Sequence, residues 1–206
     1  GADVTAVEKD SRCVAALREL ETAYPGRLRV AEADALETDL TALAPAPRRI
    51  VANLPYNVAT PLLIGWLKQI REDNNAFARL TLMFQKEVAE RLFTPPGTKA
   101  YGRLSVMTQW LCDVEREFDV SPKAFVPPPK VTSAVVTLIP RAAPRGGAAA
   151  AWPAMERVVA AAFGQRRKML RQALKRIGLD PATRGIEGAR RAETLSVEEF
   201  VRLAVQ

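Results

Sequence analysis

The segment Asn53-Leu54-Pro55-Tyr56 has the residue types needed for chemistry on an exocyclic amine. The Asn53 amide and the rigid backbone next to Pro55 can present two hydrogen-bond acceptors, and the Tyr56 ring can stack on the base that carries the amine. Adenine N6 fits this description. Its lone pair is delocalised into the ring, so two acceptors that favour a pyramidal nitrogen would free it to attack a methyl group. The alternative is a structural turn in which Pro55 and Tyr56 serve packing only.

Three predicted strands are each followed by an acidic or amide side chain: Glu8, Asp34 and Asn53. Because the carboxyl ends of parallel strands share one edge of a sheet, we expect these side chains to line a common crevice, where such folds bind ligands. An acidic residue after the second strand is suited to ribose hydroxyls, which predicts an adenosine-containing cofactor. A single acidic residue in such a place is more often a helix cap or a solvated turn.

The composition excludes several kinds of active site. The 206 residues include no histidine, which rules out Ser-His-Asp and Cys-His catalysis and every histidine-containing metal site. Cys13 and Cys112 cannot complete a four-thiolate site, so we expect no bound metal. No signal peptide opens the chain, and no apolar run approaches the roughly 20 residues of a membrane span. We therefore expect a cytoplasmic protein, not bound to membranes, whose reduced cysteines are buried as small hydrophobic residues.

The net positive charge is confined to the C-terminal third. Residues 1–140 contain 17 Lys+Arg and 17 Asp+Glu, so the formal net charge of +7 resides entirely in residues 141–206. This excess predicts a nucleic-acid partner, bound through its phosphates. A solvated helix face is the alternative. The densest part of this basic region contains Arg166, Arg167, Lys168, Arg171, Lys175 and Arg176.

Short apolar runs alternate with amphipathic segments in the first part of the chain, which predicts a parallel α/β sheet. We predict strands at 4–7, 28–31, 50–52, 80–84, 114–120 and 133–139. Helices are predicted at 11 to about 24, 86–93 and 104–111. A further helix is expected to begin with Thr60 as N-cap and Pro61 at the first helical position.

The segment 140–151 is rich in Pro, Gly, Arg and Ala and is interpreted as a linker, which divides the chain into units 1–140 and 152–206. Apolar residues from Met155 to Phe163 recur at helical spacing, and one continuous helix would extend that face through Leu170 and Ile177. Such a helix would present its basic residues to solvent. A last helix is predicted from Ser196, whose spacing to Glu199 fits a capping box.

Several sequence blocks together, in order and over nearly the whole chain, resemble the ribosomal RNA adenine dimethyltransferases, most closely those that act on the bacterial small subunit. The blocks are Asn53-Leu54-Pro55-Tyr56-Asn57 with Thr60-Pro61-Leu62, Gln85-Lys86-Glu87-Val88, Tyr101-Gly102-Arg103-Leu104-Ser105-Val106, Ala124-Phe125-Val126-Pro127-Pro128-Pro129-Lys130-Val131 and Phe163-Gly164-Gln165-Arg166-Arg167-Lys168. The resemblance implies a Rossmann-like class I methyltransferase sheet (1–140) with a small helical RNA-binding domain (152–206).

This resemblance also implies an activity and a partner. The activity is transfer of methyl groups from S-adenosylmethionine to N6 of two adjacent adenosines in a hairpin near the 3′ end of small-subunit ribosomal RNA. The partner is the immature small subunit, with the enzyme acting as a monomer. A noncatalytic RNA-binding assembly factor on the same fold is the main alternative, and a DNA adenine methyltransferase is a third interpretation.

Site residues follow from the same resemblance. Cofactor contacts are expected from Glu8, which would bind the ribose, from Asp34, which would bind the adenine amine, and from the adjacent Lys9 and Ala35, as well as from Asn53. Asn53, the Leu54 carbonyl and Pro55 would form the catalytic segment, and Tyr56 and Phe125 would hold the flipped base between them. The expected RNA contacts are Arg103, Arg166, Arg167, Lys168, Arg171 and Lys175.

The family pattern places a strand and a Gly-x-Gly turn ahead of Glu8, and this sequence opens past both. In the family's sheet that strand lies between the strands that end at Glu8 and Ala52. We therefore expect either a fragment with two rows of unpaired backbone groups or a sheet that closes differently. In both cases we expect weak cofactor binding by this chain.

Overall fold

The protein is described from a computed structural model, which covers residues 1–165 and 167–205. Its strands are β1 Val4–Glu8, β2 Leu28–Glu32, β3 Arg49–Asn53, β4 Arg79–Gln85, β5 Cys112–Val120 and β6 Ser133–Pro140. Its helices are α1 Ser11–Ala23, α2 Tyr56–Glu72, α3 Lys86–Phe93, α4 Arg103–Leu111, α5 Trp152–Gly164, α6 Leu170–Lys175 and α7 Val197–Ala204. Single 3₁₀ turns lie at Leu40–Ala42, Pro122–Ala124, Pro181–Arg184 and Ala192–Thr194. The α/β class and all six predicted strands are confirmed.

The strands form two separately hydrogen-bonded sheets. β1 and β2 pair in parallel, and β3, β4, β6 and β5 form a four-stranded sheet in that order. In the larger sheet β3 and β4 are parallel, whereas β6 runs antiparallel to both of its neighbours. Within the described chain β1 does not pair with β3, and Val51 on β3 is 82% exposed. The prediction of unpaired backbone along these two strands is confirmed.

One hydrophobic core joins the four-stranded sheet to the helices on both sides of the 141–151 segment. Trp110 of α4 stacks on Trp152 of α5, with ring centroids 6.1 Å apart. Tyr101 meets Phe163 of α5 edge-on at 6.2 Å, and Phe163 in turn stacks on Phe200 of α7. The division into two domains remains a prediction, but the buried aromatic contacts run through the predicted boundary.

The predicted start of one helix is wrong. The helix predicted to start at Thr60 begins at Tyr56 instead, so Pro61 lies inside α2. The Pro55 carbonyl accepts the amides of Val58 and Ala59 at 3.0 and 3.1 Å, and this builds a first turn upstream of the proline. Pro61 lies in the second turn of α2, where it removes one intrahelical hydrogen bond, and the helix nevertheless continues to Glu72.

The C-terminal helix is not continuous. α5 ends at Gly164 and α6 begins at Leu170, so the apolar spacing alone did not reveal the break. Gly164 disfavours helix, and Gln165, Arg167 and Lys168 are exposed, so these residues contribute no buried contact that would extend the helix. The capping box of the last helix is confirmed, because Glu199 N donates to Ser196 Oγ and Ser196 N donates to Glu199 Oε2.

The two cysteines differ in environment. Cys112 is buried, which raises the pKa of its thiol to about 12. Cys13 is exposed on the first turn of α1, so the prediction that it is buried is wrong. Its position faces solvent because α1 packs mainly through Val14. Among the described helices, none is long and apolar enough to cross a membrane.

Candidate functional site

The Asn53–Tyr56 segment connects the end of β3 to the start of α2. Asn53 is the last residue of β3 and is exposed, so its amide is accessible at the sheet edge. Tyr56 is half-buried, and its hydroxyl forms a 2.7 Å hydrogen bond with Ser133 Oγ at the start of β6. This bond fixes the phenol group relative to the sheet and leaves part of the ring surface accessible.

Strand register places the Phe125 loop, residues 121–132, at the same edge. Ser133 pairs with Gln85, the last residue of β4, and with Val120, the last residue of β5. Because β3 and β4 are parallel, the carboxyl ends of β3, β4 and β5 all lie where β6 begins. The Phe125 loop therefore leaves and re-enters the sheet at the edge that carries Asn53. Phe125 itself is half-buried.

The second group of candidate residues lies at the carboxyl ends of β1 and β2. Glu8 Oε1 accepts the backbone amides of Lys9 and Asp10 at 2.8 and 2.9 Å, which orients the carboxylate at the strand end. Asp34 Oδ1 accepts the Leu36 amide at 2.9 Å, and its Oδ2 lies 3.1 Å from Lys9 Nζ. The Leu36 amide, and after it the Lys9 ammonium, hold the pKa of Asp34 below its usual value.

These residues fit the adenosine end of a nucleoside cofactor. Two oriented carboxylates on adjacent strand ends are suitable acceptors for ribose hydroxyls and an adenine amine. Ala35, the fourth predicted cofactor contact here, packs partly against the core directly after Asp34. The structure brings Glu8, Lys9, Asp34 and Ala35 together, but it places Asn53 in the other sheet. β1 and β3 are not paired in the described chain, so these strand ends belong to two hydrogen-bonded sheets, and the common crevice remains a prediction.

The candidate RNA-binding residues are exposed. Arg103 begins α4, Arg167 and Lys168 lie between α5 and α6, and Arg171 and Lys175 lie on α6. A surface hollow of about 430 Å³ is lined by Gly164, Gln165, Arg167 and Lys168. Within 1–165 and 167–205, none of these basic residues forms a salt bridge, so their charges are available to phosphates. Arg166 lies outside the described residues.

Sequence reasoning missed two residues that shape the site. Ser133 forms a hydrogen bond with the Tyr56 hydroxyl. Lys86 fixes the C-terminal end of the Phe125 loop, because its backbone amide donates to the Thr132 carbonyl at 2.9 Å. Lys86 Nζ also pairs with Asp119 Oδ2 at 2.9 Å. Ser133 could have been noticed as the residue that resumes the strand pattern after four prolines. Its partner, 77 residues away, could not have been found from spacing.

The chain is similar in sequence to known proteins over nearly its whole length. Residues 2–205 match the family described as ribosomal RNA adenine dimethylase. The chain is 57% identical over 204 residues to ribosomal RNA small subunit methyltransferase A of Rhodospirillum rubrum, covering 98% of this chain and 69% of that protein. The protein of the same name from Brucella suis is 54% identical over 208 residues, covering 99% of this chain and 74% of that protein.

Two solved structures are similar in fold. A dimethyladenosine transferase from Plasmodium falciparum superposes with a TM-score of 0.77 at 24% identity, covering 98% of this chain and 80% of that one. The 23S rRNA methyltransferase ErmE superposes with a TM-score of 0.66 at 27% identity, with the same coverage. Both likenesses support a Rossmann-like methyltransferase fold for the described residues. The match over residues 2–205 and the 57% identity to the Rhodospirillum rubrum protein place this chain in the ribosomal RNA adenine dimethylase family.

Proposed function

We propose that this protein transfers methyl groups from S-adenosylmethionine to N6 of two adjacent adenosines in a hairpin near the 3′ end of small-subunit ribosomal RNA. It would act as a monomer on the immature small subunit. The observation that carries the proposal is the exposed Asn53 amide at the end of β3, beside the partly accessible Tyr56 ring. Both lie at the sheet edge from which the Phe125 loop extends.

The chain's own residues position the amine and activate it. Asn53 Oδ1 and the Leu54 carbonyl accept hydrogen bonds from N6 and favour a pyramidal nitrogen, whose lone pair is then available. Pro55 restricts the backbone that presents the Leu54 carbonyl. S-adenosylmethionine, when bound, supplies the electrophilic methyl group. No histidine is needed, because the amine becomes acidic once methylated and releases its proton to solvent.

Aromatic and basic residues hold the RNA in this proposal. Tyr56 and Phe125 stack on the extruded adenine, which must leave its stack to reach the site. Tyr56 is held for this purpose by its hydrogen bond to Ser133. Arg103 and the exposed residues around α6 contact phosphates, which supplies affinity without reading sequence.

A noncatalytic RNA-binding role on the same fold is the second candidate. One observation favours it: in the described chain the strands that carry Glu8 and Asp34 are not paired with the strand that carries Asn53. Cofactor and target would then lack a common rigid frame, and a misplacement of about 1 Å already costs on the order of 100-fold in rate. We therefore expect this chain to bind S-adenosylmethionine weakly, as calorimetric titration can measure.

A methyl-transfer assay on immature small subunits at high S-adenosylmethionine concentration tests the proposal. We expect Asn53→Ala to lower kcat roughly 100-fold, as for loss of one group that acts in the transition state. The matched control is Asn75→Ala, which removes an exposed asparagine ahead of β4, at the opposite edge of the sheet. Undiminished transfer by Asn53→Ala would defeat the assigned role. RNA binding without methyl transfer by the unaltered chain would favour the noncatalytic candidate.

A further inference from the structure

The Phe125 loop is a rigid projection from the edge that carries the proposed target-base site. Its twelve residues include Pro122, Pro127, Pro128 and Pro129, each of which fixes a backbone dihedral. Both ends are anchored, since Val120 and Ser133 are paired across β5 and β6. A loop constrained in this way keeps its side chains in place without burying them.

Val126, at the centre of this loop, is 100% exposed. It follows directly after Phe125 and precedes the proline run, and a residue before proline is restricted to extended backbone. No other large hydrophobic residue of the described chain is as exposed; the next is Val51, at 82%. An aliphatic side chain displayed on a stiff support is arranged to enter another molecule, because its hydration is unfavourable and the loop cannot fold it inward.

The charges beside Val126 indicate what that molecule is. Lys123 and Lys130 flank it within the loop, and both are exposed. In the described residues neither forms a salt bridge, so both ammonium groups can contact phosphates. An apolar tip between two cations matches a nucleic-acid strand, whose stacked bases are apolar and whose backbone is anionic.

We propose that Val126 is a positioning residue that enters the gap left in the RNA stack when the target adenine is extruded. The inference rests on the proposed function, in which Phe125 and Tyr56 receive that adenine. Extruding one of two adjacent adenosines exposes the face of its neighbour, and Val126 covers that face while Lys123 and Lys130 hold the strand. Apolar wedges stabilise unstacked steps in this way.

The test uses the full chain and a hairpin RNA with 2-aminopurine in place of the first of the two adjacent adenosines. The fluorescence of this base is quenched mainly by stacking on neighbouring bases, so its rise reports departure from the RNA stack without requiring methyl transfer. We expect a fluorescence rise with the unaltered chain, a rise at least about threefold smaller with Val126→Ser, and a nearly full rise with Val126→Ile, which keeps the apolar volume. The control is Val4→Ser. Val4 is exposed at the start of β1, away from Glu8, and this variant should give the same fluorescence rise as the unaltered chain.

A second RNA distinguishes loss of the Val126 contact with the neighbouring base from general damage to the Phe125 loop. In this hairpin the neighbour of 2-aminopurine is abasic, so no base face remains to be covered, and Val126→Ser should match the unaltered chain. An equal rise for Val126→Ser and the unaltered chain on the first RNA would overturn the role proposed for Val126 but leave the proposed function intact. Val126 would then be assigned to a protein contact instead. Absence of any rise with the unaltered chain would overturn the proposed base extrusion and this inference with it.

Discussion

Two parts of the chain flank the four-stranded sheet and are attached to it very differently. The N-terminal unit, β1–α1–β2, buries only Val14 on its helix, and in the described chain its strands pair with each other alone. The C-terminal helices α5 and α7 bury most of their apolar residues, including Trp152, Met155, Val158, Phe200 and Leu203. Since local stability follows burial, the N-terminal unit should open at a lower free energy than the rest of the protein.

This difference divides the proposed active site. Glu8 lies in the loosely attached N-terminal unit and Asp34 follows directly after it, whereas Asn53 and Tyr56 lie on the four-stranded sheet and α2. One hydrogen bond, from Gln69 Nε2 on α2 to Asp39 Oδ1 at 3.3 Å, joins α2 to the segment that follows β2. A cofactor that touches both parts would therefore stabilise their relative position as well as react.

The largest effect we expect comes from truncating the C-terminal core. Phe200 is fully buried and stacks on Phe163 at 5.6 Å, so Phe200→Ala should lower the global free energy of unfolding by about 3–5 kcal/mol. Val14→Ala should lower it by less than about 1 kcal/mol, because the N-terminal unit already opens separately. Urea denaturation with hydrogen exchange measures both changes. Equal losses would show that the two parts unfold together.

Sequence patterns predicted most elements because their apolar spacing matches their burial. The predicted bounds of α3 coincide with the observed ones, and the buried face of α2 contains Leu62, Leu63, Trp66, Leu67 and Ile70, which recur at helical spacing. The failures arose where long-range packing decides. Apolar spacing continues through Leu170 and Ile177 although the helix breaks, and nothing near Cys13 signals that its side of α1 faces solvent.

The candidate site was predictable in its residue types and not in its connections. Chain order shows that Glu8, Asp34 and Asn53 follow strands, because local patterning defines strand ends. The Tyr56–Ser133 hydrogen bond depends on β6 entering the sheet beside β4, a pairing that no local pattern encodes. The assignment of these residues to catalysis and binding remains a prediction that the variants can test.

A smaller effect is expected at the start of α7, where Glu199 caps the helix and pairs with Arg190. Burial acts to raise the pKa of Glu199, but hydrogen bonds from Arg190 and Ser196 and the charge of Arg202 together lower it. A lowered folded-state pKa stabilises the fold above pH 4.5, and this contribution is lost as the pH falls through the folded-state value.

Glu199→Gln should therefore lower the free energy of unfolding by about 1–2 kcal/mol at pH 7, the scale of a charged hydrogen bond at a helix cap. The gap between variant and unaltered protein should narrow as the pH falls through the lowered folded-state pKa, below which Glu199 is protonated in both states. Thermal denaturation from about pH 3 to 8 provides the comparison. A gap independent of pH would mean that the carboxylate charge contributes nothing.

The smallest effect on stability, and the clearest contrast between the two parts, is expected from their surface cations. Arg18 and Arg27 of the N-terminal unit lie 3.3 and 3.1 Å from Glu32 and Asp3, respectively. Arg171 and Lys175 of α6 are exposed, and neither forms a salt bridge within the described chain. Only the unpaired cations are free to replace counterions on RNA.

We expect the double variant Arg171→Gln/Lys175→Gln to change the free energy of unfolding by less than about 0.5 kcal/mol. Its RNA affinity should fall, and its slope of log affinity against log salt should flatten by about 0.7–0.9 for each phosphate that the protein no longer neutralises. The matched control is Arg18→Gln/Arg27→Gln, which removes two paired cations from the N-terminal unit and should leave the slope unchanged. Fluorescence anisotropy with the hairpin RNA from 50 to 300 mM salt, on the order of the range where such slopes are linear, measures both. If the two double variants flatten the slope equally, the RNA follows the net charge of the protein and the α6 surface is an ordinary solvated face.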